Sequence, residues 1–153
     1  MYACIEEQRK RVKVGSFELN KIKIGFNEKL KQFKKVNGGT VLGNISSTDY
    51  PQTVKHITES IDEGNASQVT INRPNASSNR KQSLANIETI KGTDRDEWPM
   101  AMFSEGGKGA SVMHIDPSDN RGAGSKIAQI LKQQPDGEKI DFSVQNNGAS
   151  IQL

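Results

Sequence analysis

Five carboxylate or amide side chains and two arginines crowd into two short blocks of this 153-residue chain. The first block is Asp94-Arg95-Asp96-Glu97-Trp98-Pro99-Met100, and the second is Pro117-Ser118-Asp119-Asn120-Arg121-Gly122-Ala123-Gly124-Ser125. Carboxylate and amide oxygens suit hard cations such as Mg²⁺ or Mn²⁺. Arginine grips phosphate through paired N–H donors. Together these residue types point to a site that holds a cation and a phosphate. Cleaving a phosphodiester needs a base to activate water, a cation to neutralise the phosphate, and a donor for the charge that builds on the leaving oxygen. If residues 94–97 are extended, Asp94 and Asp96 share one face, and Arg95 and Glu97 the other. Taken as composition alone, each block also matches a loop, because Asp, Asn, Gly and Ser favour turns, and Ser-Asp-Asn before a helix is a capping signal.

Both blocks need elements to carry them. Val54, Ile57 and Ile61 recur at helical spacing and predict a helix over residues 52–62, stopped by Glu63-Gly64-Asn65. Short strands are expected at residues 40–43 and 69–71, a polar loop over 73–81, and a second helix over 83–90. Residues 97–102 and 111–115 are expected to form a hairpin about the Gly106–Gly109 turn, with Trp98 as its apolar anchor. The second block is expected as a loop, with Ser125 capping a helix over 126–132 whose stripe is Ile127, Ile130 and Leu131. A last strand is expected over 140–144, where apolar residues alternate with polar ones. The class is α+β: a small antiparallel sheet with packed helices, with a strand–strand–helix unit around the two blocks.

Composition sets outer limits. Hydrophobic content of 33% and aromatic content of 5% imply a small core. No apolar run approaches the ~18 residues of a membrane-spanning helix. The single cysteine, Cys4, excludes an internal disulfide and a cysteine-based zinc site. Residues 1–36 carry ten Lys/Arg against four Asp/Glu, a surplus of +6, while residues 37–153 carry eleven against fourteen, a deficit of −3. We therefore expect a basic N-terminal extension over 1–39, ending at Asn37-Gly38-Gly39, and a folded domain over 40–153. Such an arm attracts polyanions irrespective of sequence, and it equally fits a solvated tail. The start of the chain does not match a secretory leader. The expectation is either a cytoplasmic protein or an effector domain exported as part of a larger one.

The two blocks resemble the NucA/NucB family of bacterial deoxyribonucleases. The similarity keeps its order from Tyr50 to Gln145, through Tyr50-Pro51-Gln52-Thr53, His56-Ile57, Thr70-Ile71-Asn72-Arg73, Arg80-Lys81, both blocks, Pro135-Asp136-Gly137 and Val144-Gln145. The resemblance implies a reduced ββα-metal, HNH-like nuclease core in which an acid stands where HNH enzymes place a histidine base. It implies a sequence-nonspecific endodeoxyribonuclease using a divalent cation, Mg²⁺ or Mn²⁺. By position, Asp96 is implied as the general base. Glu97 is the runner-up and a candidate metal ligand, and Asp94 is a further catalytic carboxylate. Asn120 is the implied metal ligand, and Arg95, Arg121, Ser118 and Ser125 the implied phosphate or DNA contacts. Secreted members carry cysteines where this chain has Val69 and Phe103. Late in the last helix the family has a polar residue where this chain has Ile130, which leaves Gln129 as a helix contact to the metal. The implied partners are DNA and, for a toxin domain, an acidic inhibitor or immunity protein; a monomer without membrane contact is expected. The alternative is a catalytically weakened DNA- or protein-binding module of the same fold.

Overall fold

The structure, a computed structural model, describes residues 40–145 and 147–153. The expected extension and Cys4 lie outside the described residues. Val41–Leu153 form one compact unit. Its strands are β1 (Val41–Ser46), β2 (Gln68–Thr70), β3 (Asp94–Trp98), β4 (Ser111–Ile115), β5 (Lys139–Gln145) and β6 (Gly148–Gln152). Its helices are α1 (Pro51–Asp62), α2 (Ala76–Ser83, entered through a 3₁₀ turn at Arg73–Asn75) and α3 (Pro117–Ile130). The class is α+β, with three helices and a small antiparallel sheet.

Four strands pair in the order β1-β6-β5-β2, all antiparallel. Alternation along β5 and β6 turns Ile140, Phe142, Ala149 and Ile151 into one face. Val54 and Ile57 from α1 and Ile127 and Leu131 from α3 join the same core. At its centre Trp98 meets Phe142 edge to face at 4.8 Å between ring centroids, and Phe103 closes the aromatic trio. The Trp98 indole N–H donates to the Ala66 carbonyl, so the one polar atom of this side chain is satisfied.

The β3–β4 hairpin forms a second sheet, in register from Asp94↔Ile115 to Trp98↔Ser111. Helices α1 and α3 pack on one face of it. On the other face Glu97 and Arg95 bond α2 and the chain at Ile87. The first block is therefore held between two layers, with Trp98 tying it to the main core.

Several elements differ from the sequence expectation. The stretch expected as a loop over 73–81 holds α2, and the helix expected over 83–90 is absent; Ile90 is 51% exposed. The apolar spacing of Leu84, Ile87 and Ile90 suggested a helix there, whereas α2 is held by one polar side chain. Asn79, its only buried residue, donates to the Ala101 and Phe103 carbonyls at 3.1 and 2.9 Å. Hydrophobic periodicity carries no signal of that kind. The second block is not a loop but the first turns of α3, which begins at Pro117 under an Asp116 cap instead of at Lys126 under Ser125. Strand β3 begins at Asp94, earlier than expected, and β6 was not expected at all. Ile61 is only partly buried, at the edge of the core.

Candidate active site

The site is built where the N-termini of two helices meet. Helix α1 starts at Tyr50-Pro51, and Tyr50 offers no side-chain cap. Asp119, from the first turn of α3, supplies the missing acceptor. Its Oδ2 accepts from the Gln52 amide at 2.8 Å, and its Oδ1 accepts from the Thr53 amide at 3.0 Å and the Thr53 hydroxyl at 2.7 Å. A carboxylate here also complements the positive end of the helix. In return Gln52 Oε1 accepts from the Asp116 amide. Asp116 caps α3 through Ser118, whose hydroxyl and amide hydrogen bonds hold its carboxyl below the usual carboxylate range. Tyr50 lies so close to α3 that a Cβ on Gly122 would meet its ring at 2.7 Å. This lashing leaves Asn120 and Arg121 facing the hairpin.

Asp94, Asp96 and Glu97 are thereby brought together with Asn120, Arg121 and Arg80 around one cleft of about 560 Å³. Arg95, Gly124 and Ser125 also line it. The three carboxylates are held differently. Asp94 accepts two bonds from Arg121, at 2.8 and 3.0 Å, and a longer one from the Asn120 amide at 3.3 Å. The Arg121 guanidinium first, and Asn120 after it, hold Asp94 below the ordinary carboxylate range. Glu97 turns away: one oxygen accepts from Arg80 Nε at 3.0 Å and the other from the Ser83 hydroxyl. It anchors α2 to the hairpin.

Asp96, 7% exposed, has one oxygen held from behind. Its Oδ2 lies 2.8 Å from Nδ1 of the buried His56, whose Nε2 lies 3.0 Å from Ser111 Oγ. An ionised carboxylate only accepts. His56 Nδ1–H is therefore the donor to Asp96, and the Ser111 hydroxyl meets the other ring nitrogen. Among the described residues nothing donates to Asp96 Oδ1 and nothing engages Asn120 Oδ1, and both residues line the cleft.

Of the other residues singled out in the sequence, Arg95 donates to the Ile87 carbonyl at 2.8 Å and Ser125 is exposed at the cleft. Ser118 is spent on the α3 cap, and Gln129 is exposed and absent from the cleft lining. Ile130 packs instead on β1, where a Cβ on Gly43 would meet it at 2.8 Å. The cleft also recruits residues that neither block contains: His56 and Ser111 behind Asp96, and Arg80 and Ser83 on Glu97. His56 shares its helical stripe with Thr53, Ile57 and Ser60, so a polar ring on a core-facing stripe was the available signal. His114 serves elsewhere, with Nε2 2.8 Å from the Glu88 carbonyl.

A family model described as deoxyribonuclease NucA/NucB matches residues 49–143, which span both helix N-termini, the hairpin and the cleft. The chain belongs to the NucA/NucB family. It is similar to a DNA-entry nuclease of Bacillus subtilis (strain 168), 52% identical over 99 residues that cover 65% of this chain and 67% of that protein. As a NucA/NucB member it is a deoxyribonuclease, and DNA is its substrate. Val69 and Phe103, where the sequence comparison placed cysteines in secreted members, are both fully buried here and fill the core. No helix among the described residues is long and apolar enough to cross a membrane.

Proposed function

We propose that this chain is a divalent-metal-dependent endodeoxyribonuclease without sequence preference, with β3, β4 and α3 serving as a ββα-metal core. One observation carries the mechanism: Asp96 has one oxygen fixed by His56 and the other unengaged at the cleft. Asp96 Oδ1 takes a proton from water as the water oxygen bonds to phosphorus. The phosphorus–oxygen bond to the leaving group then breaks, that oxygen takes a proton from solvent water, and Asp96 returns its own proton to solvent. The His56 N–H steadies the carboxylate so that Oδ1 stays aimed. Arg80 uses only its Nε on Glu97, and Arg121 only Nε and one terminal nitrogen on Asp94, so each keeps N–H donors for phosphate oxygens. Contacts to the backbone carry no base information, which fits a nuclease indifferent to sequence.

Among the described residues no three His, Cys, Asp or Glu side chains converge as an all-protein metal centre. Mg²⁺ does not require one: it keeps several waters and takes one or two protein oxygens plus substrate phosphate. Asn120 Oδ1 is the unengaged oxygen that fits that role, and Glu97 would join only by releasing Arg80 or Ser83. When bound, the cation would neutralise the phosphate and lower the pKa of the attacking water. Three arginines at the cleft would suit an acidic inhibitor as well as DNA, in keeping with a toxin domain acting as a monomer and held in check by an immunity protein.

The test is nicking of supercoiled plasmid with Mg²⁺ or Mn²⁺ against EDTA, using wild type and Asp96→Asn. We expect cutting that needs the cation and falls by about 10²–10⁴-fold in the variant, the usual contribution of a general base. Cutting in EDTA would remove the metal. Undiminished cutting by Asp96→Asn would pass the base to Glu97. DNA binding without cutting under any divalent cation would favour the weakened binding module.

A further inference from the structure

A second groove adjoins the cleft and shares Arg80, Met100 and Ala101 with it. Its volume is about 490 Å³, within the ~300–1,000 Å³ of small-molecule sites. Met100, Ala101 and Met102 give it an apolar floor, and Arg80, Lys81 and Ser77 a polar rim. No carboxylate lines it, in contrast to the three in the cleft. The width of the groove is fixed, because Asn79 of α2 bonds the Ala101 and Phe103 carbonyls on the facing segment. Its charge, its continuity with the cleft and its apolar floor all suit one occupant.

We propose that this groove seats the deoxyribonucleotide next to the cleaved bond, with its phosphate on Lys81 and the free N–H groups of Arg80. Its sugar or base lies over Met100 and Met102. This rests on the cleft being where the bond is cut. Methionine side chains adapt their shape, so the floor accepts any of the four bases. Arg80 stands at the junction and touches both phosphates' positions. Lys81 serves the second alone.

Affinity for a fluorescent duplex oligonucleotide, measured in EDTA across a salt series, tests the assignment with the full chain. Each phosphate contact contributes a slope of about 0.9 in log K against log salt, or about eightfold in affinity at 0.1 M salt. Lys81→Ala should therefore lose up to about eightfold in affinity and about 0.9 in slope, with an unchanged melting temperature, and Lys81→Arg should restore both. Lys139→Ala, at the start of β5, removes an equally exposed charge away from the groove and should change affinity less than twofold. Equal losses in the two alanine variants would reduce Lys81 to general charge and overturn the proposal, as would no loss in Lys81→Ala. Wild-type protein with no salt-dependent affinity for DNA would sink the cleft's own role as well. That outcome is distinct from a groove failure, in which wild type binds and cuts normally.

Discussion

Replacing Asp119 with alanine should destabilise the fold without touching the chemistry of the site. The carboxylate is 7% exposed and accepts from two backbone amides and one hydroxyl of α1. Thr53 is 4% exposed, so its amide and hydroxyl lose their partner where water cannot readily replace it, while Gln52 is exposed and recovers some solvation. Two orphaned donors at about 1.5 kcal/mol each give a loss of about 3 kcal/mol. That is a large share of the ~5–15 kcal/mol of an ordinary domain. It corresponds to a fall of roughly 10–20 °C in melting temperature at this size. Urea and thermal denaturation followed by circular dichroism would measure it. Plasmid nicking assayed well below the lowered midpoint should recover to within a few-fold of wild type, because Asp119 faces α1 and does not line the cleft. A variant with wild-type stability and no activity would refute the clamp and move Asp119 into the chemistry.

Three further outcomes follow from the geometry. His56→Ala leaves Asp96 Oδ2 and the Ser111 hydroxyl without a partner, and should cost about 1–3 kcal/mol in urea denaturation; a cost under about 0.5 kcal/mol would mean that the ring does not hold the carboxylate. Gly124 sits inside α3 with open space where a Cβ would go, so Gly124→Ala should stabilise the fold by about 0.5–1 kcal/mol. The same methyl enters the cleft, and a rise in KM for DNA should accompany the gain; neither change would place Gly124 outside the substrate's path. Asp94 has its folded pKa held below the ordinary 3.8 by Arg121. Its contribution to stability is therefore fully present above that value and is lost as pH falls through the lowered folded pKa. Titration by NMR should show the Asp94 pKa rising in Arg121→Ala; no change would mean that the pair does not persist in solution.

The residues of the candidate site were more legible in the sequence than the architecture that supports them. Asp94, Asp96, Glu97, Asn120 and Arg121 are local in sequence and polar where a core would be apolar, so residue type alone marked them. The strand–strand–helix order around them also followed from alternation and turn residues. What each carboxylate does was not legible, because the partners come from far along the chain: His56 for Asp96, Arg80 and Ser83 for Glu97, Thr53 for Asp119. Helix α2 escaped because Asn79 docks it by hydrogen bonds, and the start of α3 because Gly122 and Gly124 read as loop. Gly122 is there for Tyr50, a contact 72 residues away that no local pattern records.

The position of β6 bears on when the platform under the cleft is complete. It comes last in sequence among the described strands, yet it lies inside the sheet, between β1 and β5. Before it is made, β1 has no strand to pair with among the described residues, and β5, whose Phe142 packs on Trp98, lacks its β6 neighbour. Every residue that lines the cleft is already made by then, but the platform under them is not. A chain that stops short of β6 therefore carries every cleft-lining residue but lacks the strand that joins the two halves of the sheet beneath them.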